Sequence, residues 1–90
     1  MNNMIKGQVE KRAELLKALG HPARLAIVLG LRENECNVNK MVDGLGLPQS
    51  TVSQHLNVLK AAGVIEGERR GVKVCYRVVD QFVKRVLEIK

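Results

Sequence analysis

Apolar residues in the first part of the chain recur at helical spacing. Between residues 8 and 19, Val9, Leu15, Leu16 and Leu19 stand among charges, which predicts an amphipathic helix. Gly20, His21 and Pro22 then end that helix and start another, because Gly suits a helix C-terminus and Pro the first helical turn, where its missing N–H costs nothing. His21 is expected to help cap this second helix, which should run to about residue 32 with Leu25, Val28 and Leu29 facing the core. Beyond the polar "RENECN", Val38, Met41, Val42 and Leu45 predict a short third helix with Asn37 as N-cap. Asp43, Gly44 and Gly46 supply turn chemistry, and Pro48 opens a fourth helix to about residue 62 that buries Val52, Leu56 and Leu59.

Gly63 stops that helix, and "VIEGERRGVKVCYRVV" turns strand-like on both sides of Gly71, which predicts a β-hairpin. Asp80 can cap a last helix carrying Phe82, Val83, Val86, Leu87 and Ile89. The expected fold is mainly α with a small β-hairpin, in the order α-α-α-α-β-β-α. Two short helices joined by a glycine-containing turn and followed at once by a hairpin make a winged helix-turn-helix, here as one domain over residues 1–90.

The polar side of the fourth helix changes the picture. Its outward residues are Gln49, Ser50, Thr51, Ser53, Gln54 and His55, and no acidic residue lies between Asp43 and Glu66. Polar faces are common, and an ordinary solvated face is the alternative; the acid gap and the basic hairpin that follows favour DNA. Uncharged hydrogen-bonding groups can pair with base edges in a DNA major groove, where a carboxylate would repel the phosphates. Arg69, Arg70 and Lys73 cluster at the hairpin tip, where they can reach phosphates or simply blunt an exposed strand edge. A net charge of +6 on 90 residues that are 46% apolar fits a globular partner of double-stranded DNA better than a disordered basic tail. No apolar run approaches the roughly 20 residues of a membrane span, and the N-terminus is polar, so no membrane association and a cytoplasmic location are expected. Catalysis has little to stand on, with no nucleophile–base pattern and no phosphate-cradling glycine loop. The contrasting expectation is a winged-helix module that binds another protein and uses its basic surface only for solubility.

"LLKALGHPARLAIVLGL" and "STVSQHLNVLKAAGVIEGERRGVKVCYRV", with their spacing, resemble the ArsR-type (arsenic-repressor) family of winged helix-turn-helix repressors. The resemblance covers nearly the whole chain. His21-Pro22-Ala23-Arg24-Leu25 matches the family's HPxRL-like stretch, and Ser50 through Leu56 its S-x-x-S-x-H-L recognition helix. It implies a homodimer that occupies a pseudo-palindromic operator and leaves it when an inducer binds. It further implies that the first and last helices build the dimer interface, through the apolar faces around Leu15, Leu16, Leu19, Val83, Val86 and Leu87.

The sensing sites of such proteins are not matched. Asn37-Val38-Asn39 stands where one branch carries a C-V-C thiolate motif, and Phe82 stands where another has a zinc-ligating His after the Asp matched by Asp80. Leu29 occupies the position of a reactive thiol in a third branch, and the last helix has no cysteine. What remains is Cys36 and Cys75, the chain's only two cysteines, on segments that winged folds often pair. Two readings stay open for them: small buried packing residues, or a thiol pair that oxidises or shares a soft metal ion. No other cofactor is expected.

Overall fold

The computed structural model describes residues 3–33 and 43–88, with side chains from residue 5 onward. Helices α1 (Asn3–Leu19), α2 (Pro22–Glu33) and α3 (Gln49–Ala61) precede strands β1 (Ile65–Arg70) and β2 (Lys73–Val78), and α4 (Gln81–Glu88) closes the order. Residues 43–45 are also helical and lead into the turn before α3; the rest of the expected third helix, including Asn37, Val38, Met41 and Val42, lies outside the described residues.

Local chemistry sets the boundaries. At the start of α2, the Ala23 N–H donates to His21 Nδ1 at 3.1 Å, so the histidine is an N-cap. Asp80 does the same for α4, its Oδ1 accepting from the Val83 N–H at 3.0 Å. The end of α3 is a Schellman motif: Val64 N–H reaches Leu59 O and Gly63 N–H reaches Lys60 O, with Gly63 at φ +84. A side chain at Gly63 would strain that left-handed backbone. The hairpin pairs β1 and β2 antiparallel from Ile65↔Val78 to Arg70↔Lys73. Its two-residue turn has Gly71 at φ +66 and Val72 at negative φ, as a type II′ turn requires.

The core gathers one side of every helix against the base of the hairpin. Leu15 and Leu19 of α1, Ile27, Val28 and Leu31 of α2, and Val52, Leu56 and Leu59 of α3 meet Val64, Ile65, Val83 and Leu87. Burying such a side chain stabilises the fold by roughly 1.5–3 kcal/mol. Arg32 ties α2 to the far end of α4, its Nη1 donating to Leu87 O at 2.6 Å.

Two expectations need correction. Helix α1 begins five residues before residue 8; Ile5 and Val9 are exposed, on a side of the helix other than the Leu15–Leu19 core stripe. In α2, Val28 is buried as expected, but Leu25 and Leu29 are exposed, and Ala23, Ile27 and Leu31 join Val28 instead. The helix has more apolar residues than one face needs, so its sequence contains two helical stripes, and packing selects one.

Candidate nucleic-acid interface

Helix α3 is anchored along its length by Val52, Leu56 and Leu59, which fixes what the opposite side presents. Gln49, Ser50, Ser53 and Gln54 are exposed, while Thr51 and His55 are half-buried at its flank. These six residues therefore occupy one edge and the outer face of the N-terminal half of a helix whose back is fixed in the core. Pro48 precedes α3 at φ −59 and offers no side-chain cap. Gly46, at φ +66, makes the turn before it.

The hairpin is held differently. Of β1 only Ile65 is buried, and of β2 only Cys75. Arg69, Arg70 and Lys73 are all exposed near the tip, beside a fully exposed Val72. Acidic neighbours moderate them: Arg70 Nη2 lies 3.4 Å from Glu68 Oε2, and Arg77 lies 3.7 Å from Glu66. Arg69 and Lys73 make no ion pair with a carboxylate among the described residues.

Behind α3 lies a cluster that reading of the sequence did not assemble. His55 projects back toward the N-terminus of α2, where its ring meets that of His21 at 4.5 Å between centroids and 51° of tilt. Arg24 Nη1 stands 3.4 Å from His55 Nδ1, and Arg24 Nε donates to Ala18 O at 2.6 Å. Burial, His21 and Arg24, in that order, push the His55 pKa below the usual histidine value of 6.5. Arg24 was legible only as part of the HPxRL-like stretch; nothing in a linear sequence joins it to a residue 31 positions away.

Of the six apolar residues expected at a dimer interface, Leu15, Leu19, Val83 and Leu87 are buried in the chain's own core and Val86 is half-buried. Leu16 is exposed, on the same side of α1 as exposed Ile5 and Val9. Amphipathic spacing marks an apolar face without saying whether the chain itself or a second copy covers it. Cys75 is buried and disulfide-bonded. Cys36, the chain's one other cysteine, lies outside the described residues. Among the described residues no group of three or more His, Cys, Asp or Glu side chains could hold a metal ion.

The family model for bacterial regulatory proteins of the arsR family matches residues 21–66, from the α2 cap to the start of the hairpin. The chain belongs to the arsR family. The HTH-type transcriptional repressor SmtB of Mycobacterium tuberculosis is 49% identical over 79 residues, covering 88% of this chain and 58% of that protein. The chain thus spans little more than half the length of that arsR-type relative. Reduced HlyU from Vibrio cholerae superposes with a TM-score of 0.84 at 31% identity, covering 97% of this chain and 92% of that one. A homodimeric winged helix-turn-helix DNA-binding domain, Mb0332 from Mycobacterium bovis, gives a TM-score of 0.82 at 28% identity, over 97% and 81% of the two chains. The fold is the winged helix-turn-helix of the arsR family.

Proposed function

We propose that the chain is a sequence-specific, DNA-binding transcriptional repressor that acts as a homodimer in the cytoplasm, and that it is not an enzyme. One observation carries the reading: a recognition helix seated on Val52, Leu56 and Leu59 turns an acid-free face of Gln49, Ser50, Ser53 and Gln54 outward, directly before a basic wing. Thr51 and His55 flank that face, and Arg69, Arg70 and Lys73 reach the phosphate backbone. The repressor name of SmtB and the homodimeric DNA-binding domain of Mb0332 support it. Among the described residues no helix is long and apolar enough to cross a membrane. In this reading the domain spans residues 1–90. The dimer forms through the terminal helices, where Leu15, Leu19, Val83 and Leu87 fix α1 and α4 to the core while Leu16, Ile5, Val9 and Val86 meet the partner.

Selection of bound duplexes from a random pool tests this directly. A pseudo-palindrome with half-sites about one helical turn apart, or a multiple of it, is expected from a two-fold dimer. Failure to bind any duplex at low salt would leave the protein-interaction module as the better reading.

The disulfide at Cys75 favours thiol control of that binding. In the proposed reaction Cys36 and Cys75 each lose a thiol proton, an S–S bond forms, and a hydrogen peroxide molecule takes the two electrons and two protons to become two waters. A disulfide is normally unstable in a reducing cytosol, so the bond would act as a reversible signal. The reduced pair would instead offer thiolates to a soft metal ion. DNA affinity measured with oxidised, reduced and metal-loaded reduced protein, each beside Cys75→Ser, separates the two. An oxidant effect that survives in the serine variant refutes the switch.

A further inference from the structure

The cluster behind the recognition helix combines two imidazoles and a guanidinium from two helices. Arg24 can only donate hydrogen bonds, so a bond across the 3.4 Å from its Nη1 to His55 Nδ1 requires Nδ1 to accept, which is the tautomer with the ring proton on Nε2. The Ala23 N–H likewise donates to His21 Nδ1, which puts that ring's proton on Nε2 as well. Each imidazole therefore keeps an N–H donor and no lone pair at its remaining nitrogen. A metal ion needs the opposite arrangement, in which the free nitrogen is unprotonated. An anionic oxygen needs this one.

Charge points the same way. Arg24 forms no ion pair with a carboxylate among the described residues. From α1, Lys17 and Glu14 line the groove that Arg24 borders. From the start of α2, its cap His21 and Arg24 themselves face His55. On α3, residues 51–59 carry no charged side chain apart from what His55 can acquire. The cluster also lies beside the face proposed to read DNA, since His55 sits one residue beyond exposed Gln54.

We propose that Arg24, His21 and His55 form a binding site for a DNA backbone phosphate, which positions the duplex against α3. This rests on the DNA-binding reading above and adds a site to it. A phosphate oxygen replaces the single, long Arg24–His55 contact by accepting from both groups. Its negative charge reverses the electrostatic cost of charging His55, so the imidazole takes up a proton as DNA binds. Affinity for duplex of any sequence should then increase as pH falls, by at most roughly tenfold per pH unit, the limit for one proton. Arg24 and His55 act here as phosphate ligands, and the contact carries no base information.

The test uses the full chain and a fluorescently labelled duplex of random sequence, titrated at constant ionic strength across roughly pH 5 to 8. Wild-type protein should bind more tightly toward acid, His55→Gln should lose most of that slope, and Arg24→Gln should weaken binding throughout. Because either variant could disturb folding, NMR titration of the His55 ring in the wild-type protein, free and bound to the same duplex, supplies an independent reading. A His55 pKa higher in the complex than in the free protein is expected. Binding with an unchanged or lower His55 pKa, or a pH slope that persists in His55→Gln, would overturn the site while leaving DNA binding intact. No binding at any pH would overturn the DNA reading, and this site with it.

Discussion

The recognition helix and the wing are adjacent in sequence and bear on the same proposed ligand, yet they are held in place by different physics. Helix α3 is nailed to the core at Val52, Leu56 and Leu59 and locked at its end by the Gly63 motif. Beyond Ile65, the wing has one buried side chain, Cys75, on a face otherwise made of Glu66, Glu68, Arg70, Lys73 and Arg77. A rigid element can place hydrogen-bonding groups against base edges, where tolerance is small. A loosely held, charged arm suits phosphates, which accept many approach directions. The buried Cys75 belongs to the arm and not to the seat of α3.

The largest way to break that comparison is to remove the seat. Leu59→Ala deletes a fully buried side chain on the core face of α3, in the same buried cluster as Val64. A loss of about 2–5 kcal/mol is expected by denaturant unfolding. Val72→Ala at the exposed tip should change stability by less than about 0.5 kcal/mol. Comparable losses from both would mean that the wing is as firmly packed as the helix.

A smaller effect separates the two elements by what they read. Ser53→Ala and Gln54→Ala should each cost about 1–3 kcal/mol on a selected operator and little on random duplex. Arg69→Ala should weaken both duplexes alike and reduce the salt slope by about one phosphate's worth. Arg70→Ala should do less, because Arg70 is already engaged by Glu68. Salt-dependent binding isotherms for the four variants decide it, and identical behaviour of helix and wing variants on both duplexes would erase the distinction.

Much of this contrast was legible beforehand, for a physical reason. The buried triad of α3 is the stripe of large apolar residues that runs the length of the helix between Pro48 and Gly63, so its opposite face could be read off directly. The caps at His21 and Asp80 and the turn at Gly71 are local chemistry, involving residues at most three apart. Where apolar residues outnumber the positions of one face, as in α2, local pattern chose Leu25 and Leu29 and tertiary packing chose Ile27 and Leu31. The resemblance places the apolar faces around Leu15, Leu19, Val83 and Leu87 at a dimer interface, and in the chain these four side chains are buried in its own core. Glu68 beside Arg70 and Arg24 beside His55 were not legible, since register and helix docking bring them together.

The smallest expected effect sharpens the comparison from within α3, whose one titratable side chain near neutral pH is His55. Burial first, then His21 and Arg24, depress its pKa in the folded chain below the 6.5 of an exposed histidine. Between those two pKa values the unfolded chain binds more protons at this position than the folded one. Stability therefore rises with pH in that window. Its contribution is complete above about pH 6.5 and is lost as pH falls from there toward the folded value. Thermal midpoints measured from pH about 7.5 down to about 5.5, above the ordinary carboxylate range, should decline slightly in the wild type and less in His55→Gln. DNA affinity over the same range is expected to move the other way, because a bound phosphate favours the protonated ring that folding disfavours. Stability and affinity that both increased toward acid would mean His55 is not held neutral in the free protein, and the cluster behind α3 would lose its electrostatic basis.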